Sequence, residues 1–290
     1  MRSLRWKIAG HAVALLATVL LGGLLSSTLV RLAPGFDADE RELDPHLNAQ
    51  SVEVLREARQ QDHNIFRFYF SYMKRAANGD LGTSLALGQP VRTLLRDRIP
   101  LTLRLLSTGL GLAWTLCLTL SLTAAWLRFS IYDALSTVVS GALLCIPAAV
   151  LALLCLPCNM PGSLAIALIV FPHSYRYARN LLVRAYSRPH IIAARAKGLG
   201  EARILFWHVV PVVTPQLLAV ASVSVSMAIG AAIPVEALCG LPGIGQLAWQ
   251  AALARDLPLL VNITILVTLV TLLANSGADV IGHMVRGQQA

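Results

Sequence analysis

The chain has 290 residues, 56% of them hydrophobic and 13% charged, and its 24 Lys and Arg outnumber its 15 Asp and Glu for a net charge of +9. An ordinary soluble domain carries about a quarter charged residues, so the composition excludes that class and points to an integral membrane protein. The basic excess forms no stripe interleaved with aromatics in a polar segment, which sets nucleic acid aside as a partner. It flanks apolar runs, as the cytoplasmic margins of membrane spans do.

Arg2, Arg5 and Lys7 precede a first apolar run over residues 8–32. About 20 residues cross the hydrocarbon core, so the run is long enough to span, with the N-terminus on the cytoplasmic side. A cleaved signal peptide is the rival reading. The run is longer than a signal core, and no small-x-small cleavage pattern follows it cleanly. Residues 33–98 are polar, open with Asp37, Asp39, Glu40, Glu42 and Asp44, and predict amphipathic helix over residues 51–77. The cluster Ile65, Phe66, Phe68, Tyr69, Phe70, Tyr72 and Met73 is too aromatic to be left in water and is expected to pack on the rim of a membrane domain.

Further spans are predicted over residues 101–127, 134–156, 163–182, 212–237 and 258–281, which makes six and puts both termini inside. The fourth is the most polar. Its helix is expected to kink at Pro172, with Arg176 and Arg179 snorkelling to the cytoplasmic face and His173 in the bundle. The loop 183–211 then falls in the cytoplasm, where its arginines and Lys197 fit the charge bias.

That loop carries Arg195, Lys197, Glu201 and Arg203 between two apolar runs, so it belongs outside the bilayer. Residues 193–197 favour helix, Gly198 and Gly200 allow a turn, and a second helical stretch runs from Glu201 towards Pro211. The expected object is a helix-turn-helix shelf at the membrane surface, suited to passing a push from a soluble partner into the spans. Ala193-Ala194, then Gly198, then Val210-Pro211 resemble the cytoplasmic coupling loop of ABC importer permeases. Arg195-Ala196-Lys197-Gly198-Leu199 resembles the oligopeptide/dipeptide/nickel branch of that family more closely. Ile192 stands where the pattern has Glu, and His208 where it has Ile. The same branch is similar at Gly79-Asp80-Leu81-Gly82-Thr83-Ser84, at Glu236, Gly240, Pro242-Gly243 and Gly245, at Arg255-Asp256 and Pro258, and at Asn275 and Asp279. One departure lies between the third and fourth spans, where the family has a longer extracytoplasmic segment than residues 157–162 provide.

The resemblance implies an all-α permease with six transmembrane helices and an extracytoplasmic helical segment after the first. The expected divisions are residues 1–32, 33–98 and a five-helix core over 99–290 with its coupling loop at 183–211. It implies a place in the bacterial cytoplasmic membrane, two cytoplasmic ABC ATPase subunits, a homologous permease or a second copy, and an extracytoplasmic substrate-binding protein. ATPase coupling would fall to Ala193, Ala194, Arg195, Lys197, Gly198, Glu201 and Arg203.

Other residues support other readings. Gly240-Leu-Pro-Gly-Ile-Gly suggests a phosphate loop, but no strand and helix are predicted around it, and no Gly-Lys-Ser/Thr occurs in the chain. No cofactor or nucleotide site is therefore expected, and the glycines are expected to form an extracytoplasmic turn. Cys155-Leu-Pro-Cys158 would support a membrane thiol-disulfide oxidoreductase, although no second cysteine pair stands nearby to relay electrons. An ATPase-independent channel or carrier would be expected to show inverted repeats or broken helices, and no convincing repeat is legible. Ser222 and Ser226 share a face of the fifth span, with Gln216 near its inner end. They are candidates for the solute pathway, with helix packing as the equal alternative.

Overall fold

The computed structural model describes residues 79–127, 131–157 and 160–287, together with Leu21 and Thr28. The predicted first span and the amphipathic segment up to residue 78 lie outside the described residues. The described helices are α1 (Val91–Leu127), α2 (Ile131–Leu144), α3 (Ala148–Cys155), α4 (Gly162–Tyr186), α5 (Pro189–Ala196), α6 (Glu201–Ile204), α7 (Val210–Leu238), α8 (Ile244–Leu253) and α9 (Leu257–Gly287), with a π-helical turn at Leu205–Val209. Among the described residues there is no strand, only an isolated antiparallel bridge between Thr83 and Pro90.

Among the described residues three stretches are long and apolar enough to cross a membrane: Val91–Trp126, Glu201–Leu238 and Leu257–Gly282. A fourth arises if α2 and α3 are counted together, and here the expected third span needs correction. It is two helices meeting at 102° rather than one rod. Pro147 at the junction has no N–H to donate and steers Ile146 away from helical backbone, which ends α2. The predicted fourth span is a single helix of 25 residues with Pro172 inside it. Arg176, Arg179 and Arg184 crowd its second half, so it falls short as an apolar span. The 37 residues of α1 reach roughly 55 Å at 1.5 Å each, well beyond a core of about 30 Å. Its first turns are amphipathic, with Val91, Leu94 and Leu95 buried and Arg92, Arg96 and Asp97 exposed.

The chain divides into two compact units, residues 1–98 with 247–270 and residues 99–246 with 271–290. In the second unit one core gathers Ala113 and Cys117 of α1, Ala152 and Cys155 of α3, Ala165 to Tyr175 of α4 and Ala228 to Val235 of α7. Its contact residues are rich in alanine, and such small side chains let membrane helices approach closely. A separate core seats the shelf: Ala125, Leu182 and Ala185 receive Ile191, Ala194, Ile204, Leu205 and Val209.

Candidate functional site

The shelf is built from α5, a tight turn, α6 and the π-helical turn. Pro189 opens α5 at a position where the missing N–H removes no helical bond. Gly198 ends it in the left-handed region, at φ +78°. The N–H of Leu199 donates to the Ala194 carbonyl at 3.3 Å and that of Gly198 to Arg195 at 2.9 Å. That pair of bonds is the Schellman stop, and it requires a backbone that a side chain resists. Leu199 then folds back against the core that holds Ala194.

From Glu201 to Leu238 the chain is one helical rod of 38 residues, so shelf and span are continuous. The N–H of Val210 donates to the Leu205 carbonyl, five residues back, instead of four. Pro211 accounts for this widening: its ring would press on the Trp207 carbonyl, and its nitrogen has no proton to offer.

The seven expected coupling residues do not share one face. Ala193, Lys197, Gly198, Glu201 and Arg203 are exposed, as are Ile192, Phe206 and Trp207. Ala194 is 5% exposed and packs inward. A helical turn of 100° per residue makes the difference: the face that receives Ile191 also receives Ala194, three positions on. Arg195 is half-buried, and its Nε and Nη2 donate to the Glu201 carboxylate at 2.7 and 3.3 Å.

Arg195 also lines a cavity of about 200 Å3 with Ala124, Ala125, Asp133, Arg179, Val183, Tyr186 and Ser187. On its wall the Nε and Nη2 of Arg179 donate to the two oxygens of Asp133, each at 2.5 Å. Arg179 thus ties α4 to the start of α2 rather than reaching freely for the surface. Tyr186 is half-buried, and burial with the added negative charge of Glu201 pushes its hydroxyl up to about 12. Asp133 carries no signal in the sequence, because a lone acid before an apolar run has no periodic pattern.

On α7, Ser222 and Ser226 are half-buried and their hydroxyls donate to backbone carbonyls of the same helix, Ala219 at 2.9 Å and Ser222 at 3.4 Å. Gln216, Ala219, Val223 and Gly230 beside them are exposed. The serine buried against another helix is Ser224, whose hydroxyl meets that of Ser174 on α4 at 2.8 Å. The two serines at even spacing from it therefore lie on the opposite side of α7, where Gln216, Ala219 and Val223 are exposed among the described residues.

At the far end of α7 stands Glu236, with no exposed surface. Its carboxylate accepts the Thr102 hydroxyl at 2.8 Å and the N–H groups of Gly245 at 2.6 Å and Gln246 at 3.3 Å. Thr102 in turn accepts the N–H of Ile244 at 2.8 Å. A carboxylate is well placed at a helix N-terminus, where unpaired N–H groups and the helix dipole both favour negative charge. The glycine-rich run is thus a turn, as expected, but it leads into a ten-residue helix that the reading of the sequence had left out. Ten residues are too few to register as a span.

Within the other compact unit, two motifs far apart in the sequence are partners. The Ser84 hydroxyl donates to Asp256 at 2.5 Å, the N–H of Ala86 donates to the same oxygen at 3.1 Å, and Asp256 also caps α9 through the N–H of Leu259 at 3.2 Å. Asn262 donates to the Leu81 carbonyl at 2.9 Å. This clamp explains why Gly79–Ser84 and Arg255-Asp256 each carry recognisable residues although some 170 positions separate them.

Among the described residues no three His, Cys, Asp or Glu side chains gather to hold a metal. Cys158 lies outside the described residues. Cys155 is 3% exposed in the apolar core, and burial pushes the neighbouring Cys239 thiol up, with Cys155 adding to the shift. Thiol exchange needs an accessible thiolate, which this environment disfavours.

The helical rod from Glu201 to Leu238 and the all-helical core among the described residues suit a protein that spans a membrane. The chain belongs to the family described as binding-protein-dependent transport system inner membrane component, which matches residues 118–286. It is thus an ABC importer permease, as the motifs implied. It is 29% identical over 266 residues to the oligopeptide transport system permease protein OppB of Escherichia coli (strain K12), covering 84% of this chain and 85% of that protein. It is 27% identical over 269 residues to a Brucella abortus (strain 2308) protein named as a peptide transport system permease, covering 83% of this chain and 84% of that one. A chain from inward-facing structures of the MetNI methionine ABC transporter shares the fold, with a TM-score of 0.60 at 19% identity over 67% of this chain and 97% of that one.

Proposed function

We propose that the chain is one permease subunit of a peptide-type importer, lining half of the pathway for a peptide-like or related small solute. Six spans with both termini in the cytoplasm, a homologous permease or second copy beside it, two cytoplasmic ATPases on the shelf and an extracytoplasmic binding protein complete the complex. The names of the relatives support the solute class. The observation that carries the coupling role is the rod from Glu201 to Leu238, which joins an exposed charged shelf to a spanning helix without a break. Closure of the ATPase pair would displace α5 and α6, and α7 would carry that displacement into the membrane. Lys197, Gly198, Arg203 and Ala193 form the outward contact, Arg195 and Glu201 brace it, and Ala194 seats it. Ser222, Ser226 and Gln216 line the pathway on the exposed side of α7.

Cysteines placed at Ile192 and Lys197 are expected to crosslink to the ATPase subunit in the assembled complex. Crosslinks from other cytoplasmic positions, with none from these two, would remove the coupling assignment. A membrane-impermeant thiol reagent applied to intact cells is expected to label a cysteine at Asn48 and to miss one at Glu201. The reverse pattern would invert the topology.

A further inference from the structure

The cavity beside the shelf has an unusual balance of charge. Two guanidiniums, Arg179 and Arg195, line it, and so does the Asp133 carboxylate. Tyr186 lines it too, and the negative charge of Glu201 is close enough to raise that hydroxyl. Of the two carboxylates, Asp133 lines the space itself, while Glu201 holds Arg195, which lines it too. One carboxylate, Glu201, belongs to the shelf; the other, Asp133, belongs to α2. The Glu201 side chain is 44% exposed and that of Asp133 9%. The exposed pair is weak because water screens it, while a carboxylate in a drier setting attracts a cation more strongly. A carboxylate offers about four lone-pair sites, so Asp133 keeps room for a second guanidinium while holding Arg179.

We propose that Arg195 is a positioning residue for coupling, exchanging its partner from Glu201 to Asp133 as the shelf moves towards the bundle. The exchange trades a water-screened partner for a drier one, whose stronger attraction offsets the desolvation of Arg195. The cavity supplies the space, and Arg179 holds Asp133 ready on α2. Through that carboxylate the shelf would act on α2 and α4 as well as on α7. This rests on the shelf being the ATPase contact.

The test uses the permease assembled with its ATPase partners in liposomes. Arg195→Lys keeps the charge and gives an amine that a carbodiimide joins to a touching carboxylate, with the product mapped by mass spectrometry. Without nucleotide the amide is expected at Glu201, and with ATP and vanadate at Asp133. An amide at Glu201 in both states overturns the exchange. A cysteine at Lys197 that crosslinks to the ATPase in the same preparation shows that the shelf reading stands, so the two failures are told apart. ATP hydrolysis supplies a second readout. Glu201→Gln releases Arg195 towards Asp133 and is expected to raise basal hydrolysis about two- to fivefold, the worth of an exposed pair. Arg195→Gln is expected to lower it. A static brace would make both variants move hydrolysis the same way, and that result also overturns the proposal.

Discussion

Gly245→Ala adds one methyl group where α8 begins, and the structure fixes what that group meets. Its Cβ would lie 2.7 Å from the Ala232 carbonyl oxygen, 2.7 Å from the Ile233 Cα and 2.8 Å from the Ala232 carbonyl carbon. Nonbonded carbons sit about 3.5–4.0 Å apart, and these neighbours are helix backbone, which has no rotamer to change. The turn must lift away from α7, taking the Gly245 N–H from the buried Glu236 carboxylate it meets at 2.6 Å. Overpacking costs about 1–3 kcal/mol. Weakening a hydrogen bond to a buried charge adds about 1.5–3 kcal/mol. The expected loss is therefore at least about 2.5 kcal/mol, read as the shift in unfolding of the purified chain by denaturing detergent titration in mixed micelles. Gly230→Ala is the matched control: nothing lies within 4 Å of its added Cβ, and alanine favours a helix interior by up to about 1 kcal/mol over glycine. The same chemical change should thus destabilise at one position and not at the other. A Gly245→Ala shift below about 1 kcal/mol would refute the close packing of the turn on α7.

Other consequences follow from the same geometry. Ser84→Ala removes a buried hydroxyl from Asp256 and is expected to cost about 1.5–3 kcal/mol and to speed amide hydrogen exchange at Ala86 and Leu87; unchanged exchange there would sink the clamp. Gly198→Val forces a β-branched residue into left-handed backbone, at a cost of at least about 1–2 kcal/mol, and should reduce transport per ATP hydrolysed while Gly198→Asn is tolerated. Equal transport by both variants would remove the Schellman stop from the coupling argument. Ser222→Trp should block transport in a complex that still assembles, whereas a variant that fails to assemble would make that side of α7 a packing seam. Ser224→Leu, by contrast, should destabilise the chain itself, since Ser174 loses its partner at a buried contact.

Much of the helical architecture was legible because apolar runs and the charges between them are local features. The shelf was located by Arg195, Lys197, Glu201 and Arg203, which a bilayer excludes, and its turn by Gly198, whose left-handed backbone the coordinates bear out. What hydropathy could not supply was direction within an element. It does not resolve a bend at Pro147, because both halves are equally apolar, nor α8, because ten residues carry too little apolar length. It could not say that Ala194 faces the core while Ala193 faces out, since the two are chemically alike and only packing against Ile191 and Leu205 separates them.

The sequence by itself determined that this chain lives in a membrane, that a charged shelf interrupts its apolar runs, and which family its motifs join. Those properties sum over many residues or rest on motifs read in short windows. Only the tertiary structure decided that Asp133 meets Arg179 across 46 positions, that Glu236 holds Thr102 across 134, and that Ser84 meets Asp256 across 172. Each is a single polar residue in an apolar setting, and its partner is chosen by how the helices pack. A buried polar group must find a partner, but the rule gives no address for it.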